Sequence, residues 1–365
     1  MNYNFPIIKN INQAREAIKD RAEFIESDKG DYVVFNYLLS HSDSFDDPIR
    51  RELRGLIFNR SGDVLSRRFH KFFNMGEKEE TLESNIDWNK PHVVLEKLDG
   101  SMITPLIING KVYWATKMGI TEVSKQCEEY IKDKTNYYDF AIDCYKQKIT
   151  PIFEFIAPDN RIVISYEEPK LILLAIRNNL SGYYYGSNIL ELLSRSYEIP
   201  LVKTYSGDIS SIRDKVGIEG VVLRFNDGHM VKVKTDWYVA IHKAKEDILF
   251  EKNIIKLILE EKLDDIYPNL LDSDKVRIDS YKETLIDNID EYVNNIKLFF
   301  ETNKYTRKEF ALEVSSSLPP IIRNVYFSCW NGDKDIRSEL IKNILKYTST
   351  QNMVDEIRFI LPEEW

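Results

Sequence analysis

Lysines and carboxylates set in apolar strands are the residues of this chain best suited to chemistry. Lys97 lies in the run Val93-Val94-Leu95-Glu96-Lys97-Leu98-Asp99-Gly100-Ser101. A strand closed by an Asp-Gly hairpin turn accounts for that run by itself. Strand alternation, however, sets Lys97 on the face of Val93 and Leu95. A lysine held on an apolar face tends to lose its proton, and a neutral amine is what attack on phosphorus requires. Glu154 lies in Pro151-Ile152-Phe153-Glu154-Phe155-Ile156-Ala157-Pro158 and shares a face with Ile152 and Ile156. A buried lone carboxylate is costly, so it needs a partner. That partner is either a structural Arg or Lys, or else a ribose hydroxyl or a metal-bound water. Glu219, in Ile218-Glu219-Gly220-Val221-Val222-Leu223-Arg224, opens an apolar strand, where a glutamate is usually solvated. Lys232 and Lys234, in Met230-Val231-Lys232-Val233-Lys234, share one strand face, with Val231 and Val233 on the other. Adjacent cations repel unless water or an anion lies between them. A solvated face is the commoner explanation; a polyphosphate is the functional one.

Two upstream runs carry more cations. Arg50-Arg51-Glu52-Leu53-Arg54-Gly55-Leu56-Ile57-Phe58 takes Arg54 into an expected strand, and Arg67-Arg68-Phe69-His70-Lys71-Phe72-Phe73-Asn74 is basic and aromatic. Each is either surface charge or a grip on phosphates and bases.

These residues need a scaffold of strands. Short alternating or apolar runs at 32–37, 54–58, 93–98, 103–108, 111–116, 152–156, 171–176 and 220–225 predict them, with Asn109-Gly110 and Asp227-Gly228 as turns. Helices are predicted at 121–132 and 187–196. After about residue 238 the period changes to three and four, over 241–261, 276–300, 307–316 and 336–347. The pattern predicts an α+β domain with antiparallel sheets over 1–240 and an all-α domain over 241–365. A chain of 365 residues is long enough for two cores.

Composition narrows the class. The net charge of −9 argues against a protein that coats nucleic acid non-specifically, while leaving room for a local basic groove. Cys127, Cys144 and Cys329 are not at metal-ligand spacing and read as reduced thiols. The five histidines are scattered, and no zinc site is expected. The N-terminal residues carry no secretory pattern, and no run reaches the roughly 18 apolar residues of a membrane span. The expectation is a soluble intracellular protein.

The order of the segments says more than any one of them. Lys-x-Asp-Gly, an apolar-flanked Glu, Glu-Gly before a strand and then Lys-x-Lys resembles the covalent nucleotidyltransferases, which include DNA ligases, RNA ligases and capping enzymes. Phe153-Glu154-Phe155, Ala157-Pro158, Asn160-Arg161-Ile162-Val163, Leu173-Leu174 and Lys232 to Tyr238, with Arg54-Gly55 and Lys71-Phe72-Phe73-Asn74, resemble the T4-phage RNA ligase 1 family. The likeness runs over essentially the whole chain and is strongest in its first two-thirds.

That resemblance implies an ATP-grasp-like ligase adenylation fold followed by a helical domain that reads RNA or tRNA. It implies an ATP-dependent RNA ligase, with Lys97 forming a lysyl-AMP adduct. Asp99, Glu154 and Glu219 would handle the ribose and the water shell of a magnesium ion, with manganese as an alternative. Lys232 and Lys234 would hold the α-phosphate, and Arg54 and Lys71 the triphosphate. Tyr37, Lys117 and Tyr238 would contact the nucleotide, and Asp264-Asp265 match a second metal site. The implied partner is RNA with 5′-phosphate and 3′-hydroxyl ends, above all a tRNA nicked in its anticodon loop. The implied setting is a monomer in the cytoplasm of a phage-infected bacterium. A DNA ligase or capping enzyme is the rival within the same chemistry, although those usually continue into a β-rich OB fold. A non-catalytic RNA-binding protein on a decayed scaffold is the rival outside it, and every chemical motif position is still occupied.

Overall fold

Thirteen strands form the framework among the described residues. They are β1 (Phe24–Asp28), β2 (Tyr32–Tyr37), β3 (Leu56–Asn59), β4 (Val64–Ser66), β5 (Phe73–Asn74), β6 (His92–Lys97) and β7 (Ser101–Ile108). There follow β8 (Lys111–Ala115), β9 (Ile149–Ile156), β10 (Lys170–Asn178), β11 (Thr204–Tyr205), β12 (Gly220–Phe225) and β13 (Met230–Lys234). This is a computed structural model, and it describes residues 4–160, 162–206, 209–302, 304–363 and 365. Three sheets result, in the orders β1-β2-β3-β4, β10-β9-β7-β8 and β11-β6-β12-β13-β5. Their pairings are antiparallel except for β13 with β5.

Each sheet buries the face that alternation marks as apolar. In the third sheet Val221, Leu223, Val231 and Val233 point into one core with Ile86 and Ile212. In the second, Ile103, Phe153, Leu171 and Leu173 meet helices Glu122–Ile131, Thr135–Lys146 and Ser187–Ser196 through Cys127, Ile131, Phe140, Cys144 and Leu190. Each such side chain contributes about 1.5–3 kcal/mol by leaving water. Helices therefore hold one face of that sheet, and on its other face Leu106 and Ala115 pack with Val34 and Ile57 of the first sheet.

The structure differs from expectation at identifiable places. Arg54 does not enter a strand: the chain bends at Arg54-Gly55, and β3 begins at Leu56. Helix Thr135–Lys146 lacks strong helix formers, yet Tyr137, Phe140, Ala141 and Cys144 supply its buried stripe. In the tail, the run 241–261 divides into Asp236–Asp247 and Glu251–Leu259, and helix Pro320–Cys329 starts with proline in its first turn.

The chain separates into two compact units, 1–238 and 239–365, with the division falling inside helix Asp236–Asp247. The second unit is helical throughout its described residues. Its core is built from Leu285, Ile289, Phe310, Val325, Leu340 and Ile344, among others. Beside that core, Glu251 takes a bidentate pair from Arg358, at 2.6 Å on each oxygen, and the Tyr281 hydroxyl at 2.7 Å. No helix among the described residues is long and apolar enough to cross a membrane.

Candidate active site

Three neighbouring strands bring together lysines that are far apart in sequence. Gly220 of β12 is opposite Lys97 of β6 on one side and Lys234 of β13 on the other. The next row on the same face is Leu95, Val222 and Lys232. Glu219, just before the strand, lies 2.7 Å from Lys97 Nζ and 3.4 Å from Lys234 Nζ. So Lys97 faces a carboxylate, where alternation alone suggested an apolar wall. Gly220 is required here. Its φ is +148°, and a Cβ would lie 2.1 Å from the Val233 carbonyl oxygen. A second glycine brings the other sheet close: a Cβ on Gly100 would lie 2.4 Å from the Phe155 carbonyl oxygen. The turn after Lys97 is thereby pressed against β9, where Glu154 pairs with Met102 of β7.

Residues of the second and third sheets, Leu95, Met102, Leu174 and Val222 among them, enclose a cavity of about 600 Å³. Lys97, Glu154, Lys232, Arg54 and Lys117 all line it. Glu154 forms no hydrogen bond or ion pair with a described residue. Burial, reinforced by Glu219 and opposed by Lys97, pushes its carboxyl up to about 8. Lys232 is the converse case. Burial, with Arg54, Lys97 and Lys71 nearby, lowers it to about 7. Lys71 sits over the rings of Tyr37, Phe45 and Phe73 at 5.0–5.4 Å, and Lys117 lies 5.9 Å from the Tyr37 ring. Burial raises the Tyr37 phenol, but Arg54, Lys71 and Lys117 outweigh it and leave its pKa lowered. A concentration of cations around one carboxylate-bearing cavity suits a polyanion that brings its own divalent cation.

Other expected site residues are placed differently. Asp99 is only 1% exposed and does not line the cavity. Its Oδ1 accepts from the Tyr238 hydroxyl at 2.6 Å, and its Oδ2 from the Val163 and Ile164 amides at 2.7 Å each. Its own amide donates to the Tyr166 hydroxyl at 3.0 Å. Asp99 thus anchors the turn behind Lys97, with Tyr238 as the post. Asp264 and Asp265 are exposed on the four-residue helix Leu263–Ile266, and no group of three metal-ligating side chains occurs among the described residues. Arg161, in the run Asn160-Arg161-Ile162-Val163, lies outside the described residues.

The basic aromatic stretch divides by side chain. Arg67 and Arg68 are buried: Arg67 pairs with Glu52 at 3.0 Å, beside an Arg177–Glu52 pair at 2.6 Å, and Arg68 donates to the Gly55 and Ala115 carbonyls. Phe69 and Phe72 instead line the cavity, and Lys232 Nζ lies 4.8 Å from the Phe72 ring. Met102 and Arg224 line it as well without having been singled out in the sequence, as does Leu174 of the Leu173-Leu174 pair.

Comparison with known proteins gives the family of the chain. The RNA ligase family of the T4 RNA ligase 1 type matches residues 52–238. The chain belongs to the RNA ligase family. Among its relatives, a "Putative RNA ligase" of Thermovibrio ammonificans is 30% identical over 269 residues, 70% of each chain. "RNA ligase 1" of Bacteriophage TS2126 is 28% identical over 269 residues, covering 69% of this chain and 66% of the relative. A solved archaeal ATP-dependent RNA ligase covers 95% of this chain and 78% of its own, at a TM-score of 0.46 and 13% identity. The RNA ligase match includes every cavity cation and carboxylate described above and leaves out Tyr37.

Proposed function

We propose that this RNA ligase is ATP-dependent and works through a lysyl-AMP intermediate on Lys97. One observation carries the reading. Lys97, paired with Glu219, opens onto a cavity of about 600 Å³ that also holds Arg54, Lys117, Glu154 and Lys232. That arrangement suits in-line displacement at phosphorus, where catalysis is mainly positioning and charge neutralisation.

In the first step, the Lys97 amine bonds to the α-phosphorus of ATP, and the bond to pyrophosphate breaks. Glu219 Oε1, at 2.7 Å, is within reach of the proton that Lys97 must lose. In the second step, a 5′-phosphate oxygen of RNA attacks the same phosphorus. The P–N bond breaks, Lys97 recovers its proton, and the RNA end carries AMP through a pyrophosphate link. In the third step, a 3′-hydroxyl attacks the RNA phosphorus and AMP leaves. Lys232 and Lys234 neutralise charge on the α-phosphate, and Arg54 and Lys71 meet the outgoing phosphates. Lys117 and Tyr37 stand beside them. Asp99 and Tyr238 keep the nucleophile's turn in place.

Glu154, half-buried on the cavity wall and without a described partner, suits a divalent cation shared with phosphate oxygens, as magnesium is commonly held. Magnesium or manganese bound there would supply charge neutralisation on the phosphates. Residues 239–365 are the proposed RNA-reading part, and a nicked tRNA in a bacterial cytoplasm, acted on by a monomer, is the proposed setting. The helical character of that unit favours RNA over DNA as substrate.

The nucleophile is tested with ATP labelled at the α-phosphate and a denaturing gel. Wild-type protein should keep the label and Lys97→Ala should keep none; label on the variant refutes the assignment. Sealing of a nicked anticodon loop, set against a generic single strand, tests the tRNA reading.

A further inference from the structure

Arg224 is a buried cation that the three-step chemistry leaves without a task. It is 6% exposed, and burial lowers its pKa. Among the described residues no carboxylate pairs with it. Its described hydrogen bonds are long, 3.5 Å to the Leu174 carbonyl and 3.4 Å to Ser187 Oγ. Arg67 and Arg177, equally buried, share Glu52 instead. A desolvated guanidinium without a counter-ion is costly, so its place in the fold calls for an anion.

Its position indicates which one. Arg224 lines the Lys97 cavity and also a second hollow of about 270 Å³. The second hollow is walled by Phe5, Tyr183, Tyr184, Phe225 and Asn226. Tyr183 is 54% exposed there and meets Phe5 edge-on at 5.8 Å. Tyr184 is held by Arg177, whose guanidinium lies 4.7 Å from its ring. Four residues along β12 separate Arg224 from Gly220, about 13 Å at the usual rise of about 3.3 Å per residue. That sets it further along the same strand than the row that holds Lys97.

We infer that Arg224 and the Tyr183–Phe225 hollow seat a nucleotide of the 5′-phosphate RNA strand beyond its reactive end, with a backbone phosphate on the guanidinium and a base against the rings. The inference rests on the RNA ligase reading and deepens it by placing the strand. Aromatic stacking beside a cation is a sequence-tolerant way to hold single-stranded nucleic acid.

The test is binding of a fluorescent, 5′-phosphorylated single-stranded RNA, by anisotropy over a series of KCl concentrations. Arg224→Met keeps the volume and removes the charge. It should bind roughly tenfold more weakly, with the salt slope shallower by about 0.7, the effect of one lost phosphate contact on a single strand. Tyr183→Ala changes an exposed ring and should also cost roughly tenfold, with the slope unchanged. Folded Arg224→Met with wild-type affinity and slope overturns the inference. Should that variant fail to fold, wild-type affinity in Tyr183→Ala overturns it. The mixture contains no ATP, so failure here is distinct from failure of AMP transfer to Lys97.

Discussion

Lys232 shows how much of the site's behaviour resides in single side chains. Its pKa falls from an ordinary 10.5 to about 7 because it is buried among Arg54, Lys97 and Lys71. Between those values the folded chain holds fewer protons than the unfolded one, so this group makes stability rise with pH across that window. Glu154, raised from 4.5 to about 8, acts in the opposite sense: stability falls as pH rises through its window. The two slopes oppose each other between about pH 7 and 8. A bound polyphosphate restores charge to Lys232. Binding of pyrophosphate should therefore take up more protons in the wild type than in Lys232→Met at pH 8, and the two should hardly differ at pH 6. Calorimetry in two buffers of different ionisation enthalpy measures this. Sequence made the residue types legible here but not their duties. Asp99, next to the nucleophile, reads as catalytic, and its hydrogen bonds with Tyr238, Val163 and Ile164, all distant in sequence, add an anchoring task that its type does not announce. Arg67 and Arg68 read as either surface charge or phosphate contacts, and the fold instead buries them against Glu52 and backbone carbonyls.

The element that matters most is the β6-β12-β13 ladder. Alternation within each strand was plain from the sequence, because Val231 and Val233 on one side and Lys232 and Lys234 on the other leave one sensible orientation. The β12–β13 hairpin was legible too, from its Asp227-Gly228 turn, but the pairing of β6 with β12 was not, since it joins residues more than a hundred positions apart. Gly220 is the join. A methyl group there meets the Val233 carbonyl at 2.1 Å, from a backbone at φ +148°. Gly220→Ala should therefore destabilise the fold by about 2–4 kcal/mol, combining backbone strain with overpacking. Urea unfolding measures that loss. The same variant should lose AMP transfer more steeply than stability, because prising β13 away separates Lys234 from Glu219.

At the scale of the whole molecule, the change of hydrophobic period near residue 238 was legible because helices and strands bury their faces at different intervals. The two units each have their own core, Ile289, Phe310 and Leu340 lying in the second. A chain ending at Asp247 keeps the whole helix that carries Tyr238, and hence the anchor on Asp99. It should still take label from ATP at a rate within about tenfold of the full chain. Its sealing of nicked tRNA should fall much further. Equal sealing by both chains would remove the second unit from RNA reading. The ladder also has a consequence for how such a chain can vary by descent. A pleated strand distinguishes only odd from even. A single-codon insertion between residues 221 and 233 would exchange valines for lysines along everything beyond it, burying charge and emptying the cavity at one stroke. Length changes in that stretch are safe only in the Asp227-Gly228 turn, where the count between rows is not kept. Among descendants of this gene, the hairpin's arms should hold their length while its tip drifts.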